Sequence, residues 1–195
     1  MRVVGIASSP REGGNSERLL VRFLEGTVER GAEATKLRTS ALDIAPCRSC
    51  DQCHVDGTCA VADDAQRVLE QLIAADIIVL ASPVYYAGLP SQAKALVDRC
   101  QPLWVRKYLL ERTLPPTPCG HLRRRGVFLC TAGNPQADFS AIRATVQIFF
   151  DVLGAEPWAE LCVPGLEAPD SIMEHPTVLE QAYELGRRAM DELWE

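Results

Sequence analysis

Ile77-Ile78-Val79-Leu80-Ala81 carries no polar side chain, so a strand formed there has no face that suits water. A strand apolar on both faces belongs inside a parallel sheet with helices packed above and below it. Around this run the chain alternates between strand and helix signals. Residues 3–7 form a second short apolar run, closed by the turn signal Ser8-Ser9-Pro10. Residues 33–38, 126–131 and 156–163 complete five predicted strands. Residues 16–29 place Leu19, Leu20, Phe23, Leu24 and Val28 at helical spacing, with Asn15 or Ser16 as the expected N-cap. Further helices are expected over about 63–75, 90–100, 137–153 and 177–194. Asp63 and Asp64 suit the positive end of one, and Pro90 the first turn of another.

Five strands alternating with helices, joined by right-handed crossovers, predict an α/β fold: a doubly wound, three-layer sandwich around a five-stranded parallel sheet. The 195 residues read as one domain over 1–195, long enough to bury roughly 70% of the unfolded surface. A long loop is expected at 40–62 and a proline-rich insertion at 101–124, with a helical piece near Trp104 to Leu110. The formal charge of −6 argues against nucleic acid as a partner. The apolar runs are too short to span a bilayer, and Arg2 leads straight into a strand, so a cytoplasmic protein without a membrane partner is expected.

In a doubly wound sheet, ligands bind beyond the carboxyl ends of the strands. Three segments should meet there. The first reads Ser8-Ser9-Pro10-Arg11-Glu12-Gly13-Gly14-Asn15-Ser16. Its glycines let backbone N–H groups approach an anion, the following helix adds its positive end, and Ser9, Ser16 and Arg11 supply donors suited to a phosphate monoester. It lacks the glycine spacing of a dinucleotide fingerprint and the lysine of a P-loop. A solvated helix-capping turn is the plainer reading. The second segment, Ser82-Pro83-Val84-Tyr85-Tyr86-Ala87-Gly88-Leu89-Pro90, offers aromatic faces and amides to a planar heterocycle. The third, Thr131-Ala132-Gly133-Asn134-Pro135, is small enough for its backbone to approach a ring.

Taken together, "GIASSPREGGNS", "SPVYYAGLPSQAKALVDR" and "FLCTAGNP" resemble the NADPH-dependent FMN reductase and iron–sulfur flavoprotein branch of the flavodoxin-like superfamily. The resemblance covers nearly the whole chain and is weakest in the insertion and the C-terminal region. It implies that Ser9, Arg11, Asn15 and Ser16 hold the phosphate of FMN. It places Pro83, Val84, Tyr85, Tyr86, Ala87 and Gly88, with Thr131, Ala132, Gly133 and Asn134, along the ribityl chain and flavin ring. Ser8 stands where many relatives have glycine, a change the turn is expected to accept. The resemblance also implies a homo-oligomer, a dimer or tetramer, with flavin sites near subunit contacts.

Cys47, Cys50, Cys53 and Cys59 form C-x2-C-x2-C-x5-C in the long loop. Four thiolates within 13 residues can wrap one metal centre, and the first three share the spacing of bacterial ferredoxin ligands. The fourth spacing departs from that pattern, and no proline follows Cys59. Zinc is a competitor, although structural zinc sites more often separate two C-x2-C pairs by a longer segment. Free or partly oxidised thiols are the third reading. The loop also resembles the compact motif of iron–sulfur flavoproteins, which implies a [4Fe–4S] cluster, with Gly57 helping the chain turn back toward Cys59. His54 reads as an exposed loop residue. Cys130 and Cys162 read as core, Cys100 as buried, and Cys119 as exposed and without a partner. Arg123-Arg124-Arg125 reads as a solvated loop, with NADPH phosphate as the sharper alternative. Trp104, Tyr108, Trp158 and Trp194 read as core or subunit packing.

No Ser/His/Asp set or carboxylate pair stands out, and a flavin enzyme requires none, because the cofactor carries the difficult step. With a cluster, electrons are expected to pass from a one-electron donor such as ferredoxin to FMN and on to a small acceptor. Without one, an NAD(P)H-dependent FMN or quinone reductase is expected. A flavin-binding redox sensor or carrier without turnover is the reading from another class.

Overall fold

Parallel neighbours cannot be joined by a tight turn, so each strand returns through helical crossover structure. The computed structural model describes residues 1–192. Along the chain it has β1 (Arg2–Ala7), α1 (Asn15–Glu29), β2 (Glu33–Arg38), a 3-10 turn (Thr39–Ala41) and α2 (Cys53–Asp56). Then come α3 (Asp64–Ile73), β3 (Ile77–Pro83), α4 (Ser91–Asp98), α5 (Gln101–Tyr108) and β4 (Arg124–Thr131). The chain continues through α6 (Ser140–Val152), β5 (Ala155–Val163), a second 3-10 turn (Ser171–Glu174) and α7 (Pro176–Asp191). The five strands form one parallel sheet in the order β2-β1-β3-β4-β5. This is the doubly wound order, with its switch point between β1 and β3.

Alternating strand residues feed two cores. Val3, Ile77, Val79, Val127 and Leu129 face α1 and α7, where Leu19, Leu20, Phe23 and Ala182 meet them. Val4, Ile6, Ile78, Leu80 and Phe128 face the other layer, built from α3, α4, α5 and α6. On the first face, α1 and α7 approach to backbone contact. A Cβ on Gly26 would lie 2.1 Å from the Tyr183 carbonyl oxygen, and one on Gly186 would lie 2.1 Å from that of Phe23. Only glycine fits at either position.

Local electrostatics hold the turn after β1 against β2. The Glu17 carboxylate, 3% exposed, accepts from the Gly13 N–H at 3.0 Å and pairs with Lys36 at 2.6 Å and Arg38 at 3.5 Å. Burial pushes this carboxyl up, but Lys36, the Gly13 N–H and Arg38 outweigh it and hold it below the usual value. The turn accepts Ser8: its hydroxyl donates to the Ala81 carbonyl at 2.8 Å.

Several sequence expectations are corrected. Neither Asn15 nor Ser16 caps α1; Gly14 occupies the N-cap position without a side-chain bond. The loop at 40–62 contains the short helix α2, and Gly57 closes it at φ +81°, as its turning role required. Within the stretch 101–124 the expected helical piece is α5, which starts earlier than predicted, directly after a break at Arg99 and Cys100, and irregular chain begins at Leu109. Arg124 and Arg125 are buried, not solvated. Arg124 donates to the carbonyls of Ile73, at the end of α3, and Pro115. Arg125 donates to those of Ala189 and Glu192, at the end of α7. Both therefore cap helix C-termini, where free carbonyls attract cations. Cys162 is only half-buried because β5 is an edge strand. Cys119 is exposed as expected, yet it has a partner: its backbone N–H and its thiol both reach Asp76. Trp104 and Tyr108 pair their rings at 5.5 Å on the surface rather than entering the core. Trp194 lies outside the described residues.

Two outcomes are expected. Gly26→Ala forces the two helices apart and costs about 1–3 kcal/mol or more, read as a lowered midpoint in urea unfolding with secondary structure retained. For Glu17, a folded value below 4.5 means that its stabilisation is complete above the unfolded value near 4.5 and is lost as the pH falls through the depressed one. The stability gap between wild type and Glu17→Gln should therefore close on acidification below pH 4.5, measured by denaturant titration across pH.

Candidate functional site

The first turn of an α-helix leaves backbone N–H groups without intrahelical partners. In α1 no side chain caps them, and the turn from Ser9 to Gly14 passes directly in front. Gly13, at φ +63°, makes the bend. Ser9 Oγ accepts from the Arg11 N–H at 3.1 Å, which braces the turn while leaving the Arg11 guanidinium exposed. The result is a cavity of about 210 Å3 lined by Ser9, Arg11, Gly14, Asn15, Ser16, Pro83, Val84, Tyr85, Thr131 and Gly133, together with Leu166 and Glu167. Three loops from the carboxyl ends of β1, β3 and β4 thus meet at the switch point.

Asn15 is placed there but is engaged elsewhere. Its amide nitrogen donates to the carbonyls of Leu166 and Ala168 and to Ser171 Oγ, and its oxygen accepts from the Ile172 N–H at 3.1 Å. The side chain clamps the segment after β5 over the site, so it is not a free phosphate donor. This segment was missed from sequence. Leu166 and Glu167 line the cavity, and the Glu167 carboxylate lies where a Cβ on Gly133 would stand, 2.0 Å from Oε2. The signal was available: Pro164-Gly165 follows β5 as the other loops follow their strands, and strand ends converge.

Tyr86, Ala87, Gly88, Ala132 and Asn134 do not line the cavity. Ala132 is buried and bonded through its backbone to Val163 and Leu166, which joins the β4 loop to the chain after β5. The Asn134 side-chain Oδ1 instead accepts from the Gln136 N–H. Tyr85 and Gly88 exchange two backbone bonds, of 2.9 and 2.8 Å, around a two-residue tip. At that tip Tyr86 has φ +47° and Ala87 φ +62°. Tight hairpins of this kind normally use Asn-Gly, and such a residue costs of order 1–3 kcal/mol. Tyr86 gains no packing in return, since it is fully exposed.

The four loop cysteines surround a second cavity, of about 460 Å3, with Arg99, Trp104, Phe149 and Val152 in its walls. Cys47 and Cys50 are exposed, Cys59 is half-buried, and Cys53 is buried at the start of α2. Burial and then the neighbouring sulfurs of Cys59, Cys47 and Cys50 push the Cys53 thiol up. Ser49 and Asp51, on either side of Cys50, take φ +50° and +55° and bend the loop sharply. Among the described residues, no three potential ligands already stand in a metal-binding arrangement. His54 is partly exposed, with Asp51 3.8 Å away.

Arginines fix the base of this loop. Arg99, 2% exposed, pairs with Asp63 and donates to the carbonyls of Ala45 at 2.9 Å and Val61 at 3.0 Å. Burial pushes the Asp63 carboxyl up, but Arg99 and the N–H groups of Ala45 and Ala65 reverse this and hold it low. Arg106 donates to the Gly57 carbonyl at 2.7 Å, and Arg112 to that of Asp56 at 2.9 Å. Four thiolates supply a donor set for one metal centre, which would carry net negative charge with zinc or with iron–sulfur alike.

Comparison with known proteins bears on the family and the fold. The chain is 40% identical over 99 residues to an iron–sulfur flavoprotein of Methanosarcina thermophila, a match covering 51% of this chain and 52% of that one. The matches span about half the length of the curated relatives. In fold it is similar to an NAD(P)H:quinone oxidoreductase from Methanothermobacter marburgensis, with TM-score 0.74, 18% identity, and coverage of 100% of this chain and 98% of that one. It is also similar to an FMN-dependent NADH-azoreductase from Bacillus anthracis str. Ames Ancestor in complex with FMN, with TM-score 0.64, 16% identity and 97% coverage of both chains. No helix among the described residues is long and apolar enough to cross a membrane. The profile of NADPH-dependent FMN reductases matches residues 1–163, and the chain belongs to that family.

Proposed function

We propose that this chain is a flavin-dependent oxidoreductase that binds FMN at the carboxyl ends of β1, β3 and β4 and carries a [4Fe–4S] cluster on its cysteine loop. The observation that carries the flavin reading is the uncapped start of α1, facing Arg11 and the loops after β3 and β4 around one cavity. Ser9, Arg11 and Ser16 would hold the phosphate with the first N–H groups of α1. The segments 83–88 and 131–134 would flank the ribityl chain and the ring. Cys47, Cys50, Cys53 and Cys59 would ligate the cluster. FMN takes up a hydride as an electron pair and releases electrons singly, which a cluster complements by moving one electron at a time.

The chain's own contribution is binding, charge and exclusion of water. The positive end of α1 and Arg11 neutralise the phosphate. Asn15 holds the 166–172 segment in place as a wall. Tyr85, at the base of the Tyr85–Gly88 hairpin, forms part of the wall of the site. The expected donor is ferredoxin or NAD(P)H, and the assembly a homo-oligomer. Eight free thiols suit a reducing, cytoplasmic setting. The family match supports equally a second reading, an NAD(P)H-dependent FMN or quinone reductase without a cluster.

Iron and acid-labile sulfide per FMN, on protein purified without oxygen, separate the two. About four of each per chain, lost in Cys50→Ser, is the expected result. Flavin with neither, even after anaerobic reconstitution, leaves the cluster-free reductase. For the phosphate site, Arg11→Ala should weaken FMN retention roughly tenfold, measured by fluorescence titration of the apoprotein. Unchanged affinity would remove Arg11 from the site.

A further inference from the structure

Two cysteines outside the loop stand together. Cys130 and Cys162 are register partners on β4 and β5, neighbouring parallel strands. Their side chains share the face covered by α6. Adjacent strands lie about 4.7–4.9 Å apart, within the roughly 4.4–6.8 Å of Cα separation that a disulfide spans. Both thiols are free, and strand register sets the two side chains next to each other in one core.

The pair is asymmetric. Cys130 is fully buried in an interior strand, whereas Cys162 is half-buried on the sheet edge. Arg143 on α6 forks Glu160 with bonds of 3.1, 2.9 and 2.8 Å, and Glu160 stands two residues before Cys162 on the same face of β5, so this positive charge lies on the Cys162 side of the pair. The Cys130 contact, and then Arg143, hold the Cys162 thiol low against burial and Glu160. The same contact and burial push the Cys130 thiol up. Cys162 is thus the reachable thiol, with the enclosed Cys130 beside it. That is the division between an attacking and a resolving cysteine.

We propose that Cys130 and Cys162 form a redox-active dithiol, in which a hydroperoxide oxidises Cys162 and Cys130 then closes a disulfide between β4 and β5. The Cys162 thiolate attacks one peroxide oxygen and the O–O bond breaks. The departing oxygen leaves as hydroxide or alkoxide and takes up the proton that Cys162 released, and Cys162 becomes a sulfenic acid. The Cys130 sulfur then attacks the Cys162 sulfur. The S–O bond breaks, and the sulfenic hydroxyl leaves as water with the Cys130 proton. Two thiols are oxidised by two electrons in total, and one peroxide is reduced by two. This chemistry requires neither flavin nor metal, so it stands apart from the function proposed above.

The test is peptide mapping. Reduced full-length protein is treated with equimolar hydrogen peroxide, alkylated and digested for mass spectrometry. A Cys130–Cys162 linked peptide that dithiothreitol separates is the expected product, absent from Cys162→Ser. Cys130→Ser, or Cys130→Ala should the serine disturb the core, should stop at a Cys162 sulfenic acid that dimedone traps. Arg143→Gln should slow the oxidation of Cys162 at least about threefold, with the linked product unchanged. Full alkylation of Cys130 and Cys162 after peroxide has oxidised other thiols overturns the proposal. So does a linked peptide that joins either one only to the loop cysteines.

Discussion

The backbone approach of α1 and α7 at Gly26 and Gly186 sets the position of α1, and the candidate phosphate site at its start depends on that position. A helix that can rotate or slide on the sheet carries its N-terminus with it. Here the carbonyls of Tyr183 and Phe23 close the space where any side chain would stand. With α7 locked to α1, the chain that leads into α7 must run past the carboxyl ends of the strands, where Asn15 secures it at 166–172. The wall of the candidate flavin site is therefore a consequence of helix packing at the other end of α1. Glu17 adds a tie to β2, drawing the Gly13 turn toward Lys36 and Arg38.

Much of the architecture was legible because its signals are local. An uncharged run such as Ile77 to Ala81 has one comfortable location, and alternating periods of two and 3.6 specify strand and helix in order. The three-loop site followed from the same rule. The losses came where a residue's partner lies far along the chain. Arg124 and Arg125 look like surface charge until the ends of α3 and α7 arrive beside them. Asn15 looks like a phosphate ligand until 166–172 engages both ends of its amide. Cys130 and Cys162 each read as core, and only strand register makes them a pair. The Tyr86–Ala87 tip escaped notice for another reason. Its backbone conformation is one that sequence preferences assign to asparagine and glycine, so propensity pointed away from it.

The two candidate centres are built on opposite principles. The cavity at α1 is made largely of backbone: N–H groups, a glycine bend and strand ends whose places are dictated by the sheet. The cysteine loop is irregular chain, shaped by Ser49, Asp51 and Gly57 in left-handed conformations and fastened at its base by arginines from the break after α4 and from α5 and beyond.

Where those fastenings act is the telling detail. Arg99, Arg106 and Arg112 take hold of the carbonyls of Ala45, Val61, Gly57 and Asp56, which are main-chain atoms. In small zinc domains the ligand side chains are the framework, and removing the metal unfolds the chain. Here the scaffold of the loop is separate from its thiols. Descendants of such a chain are free to lose one cysteine, exchange another, or abandon the centre altogether while keeping the fold and the neighbouring site. A single lineage can then diversify its inorganic chemistry by point substitution, without passing through an unfolded ancestor.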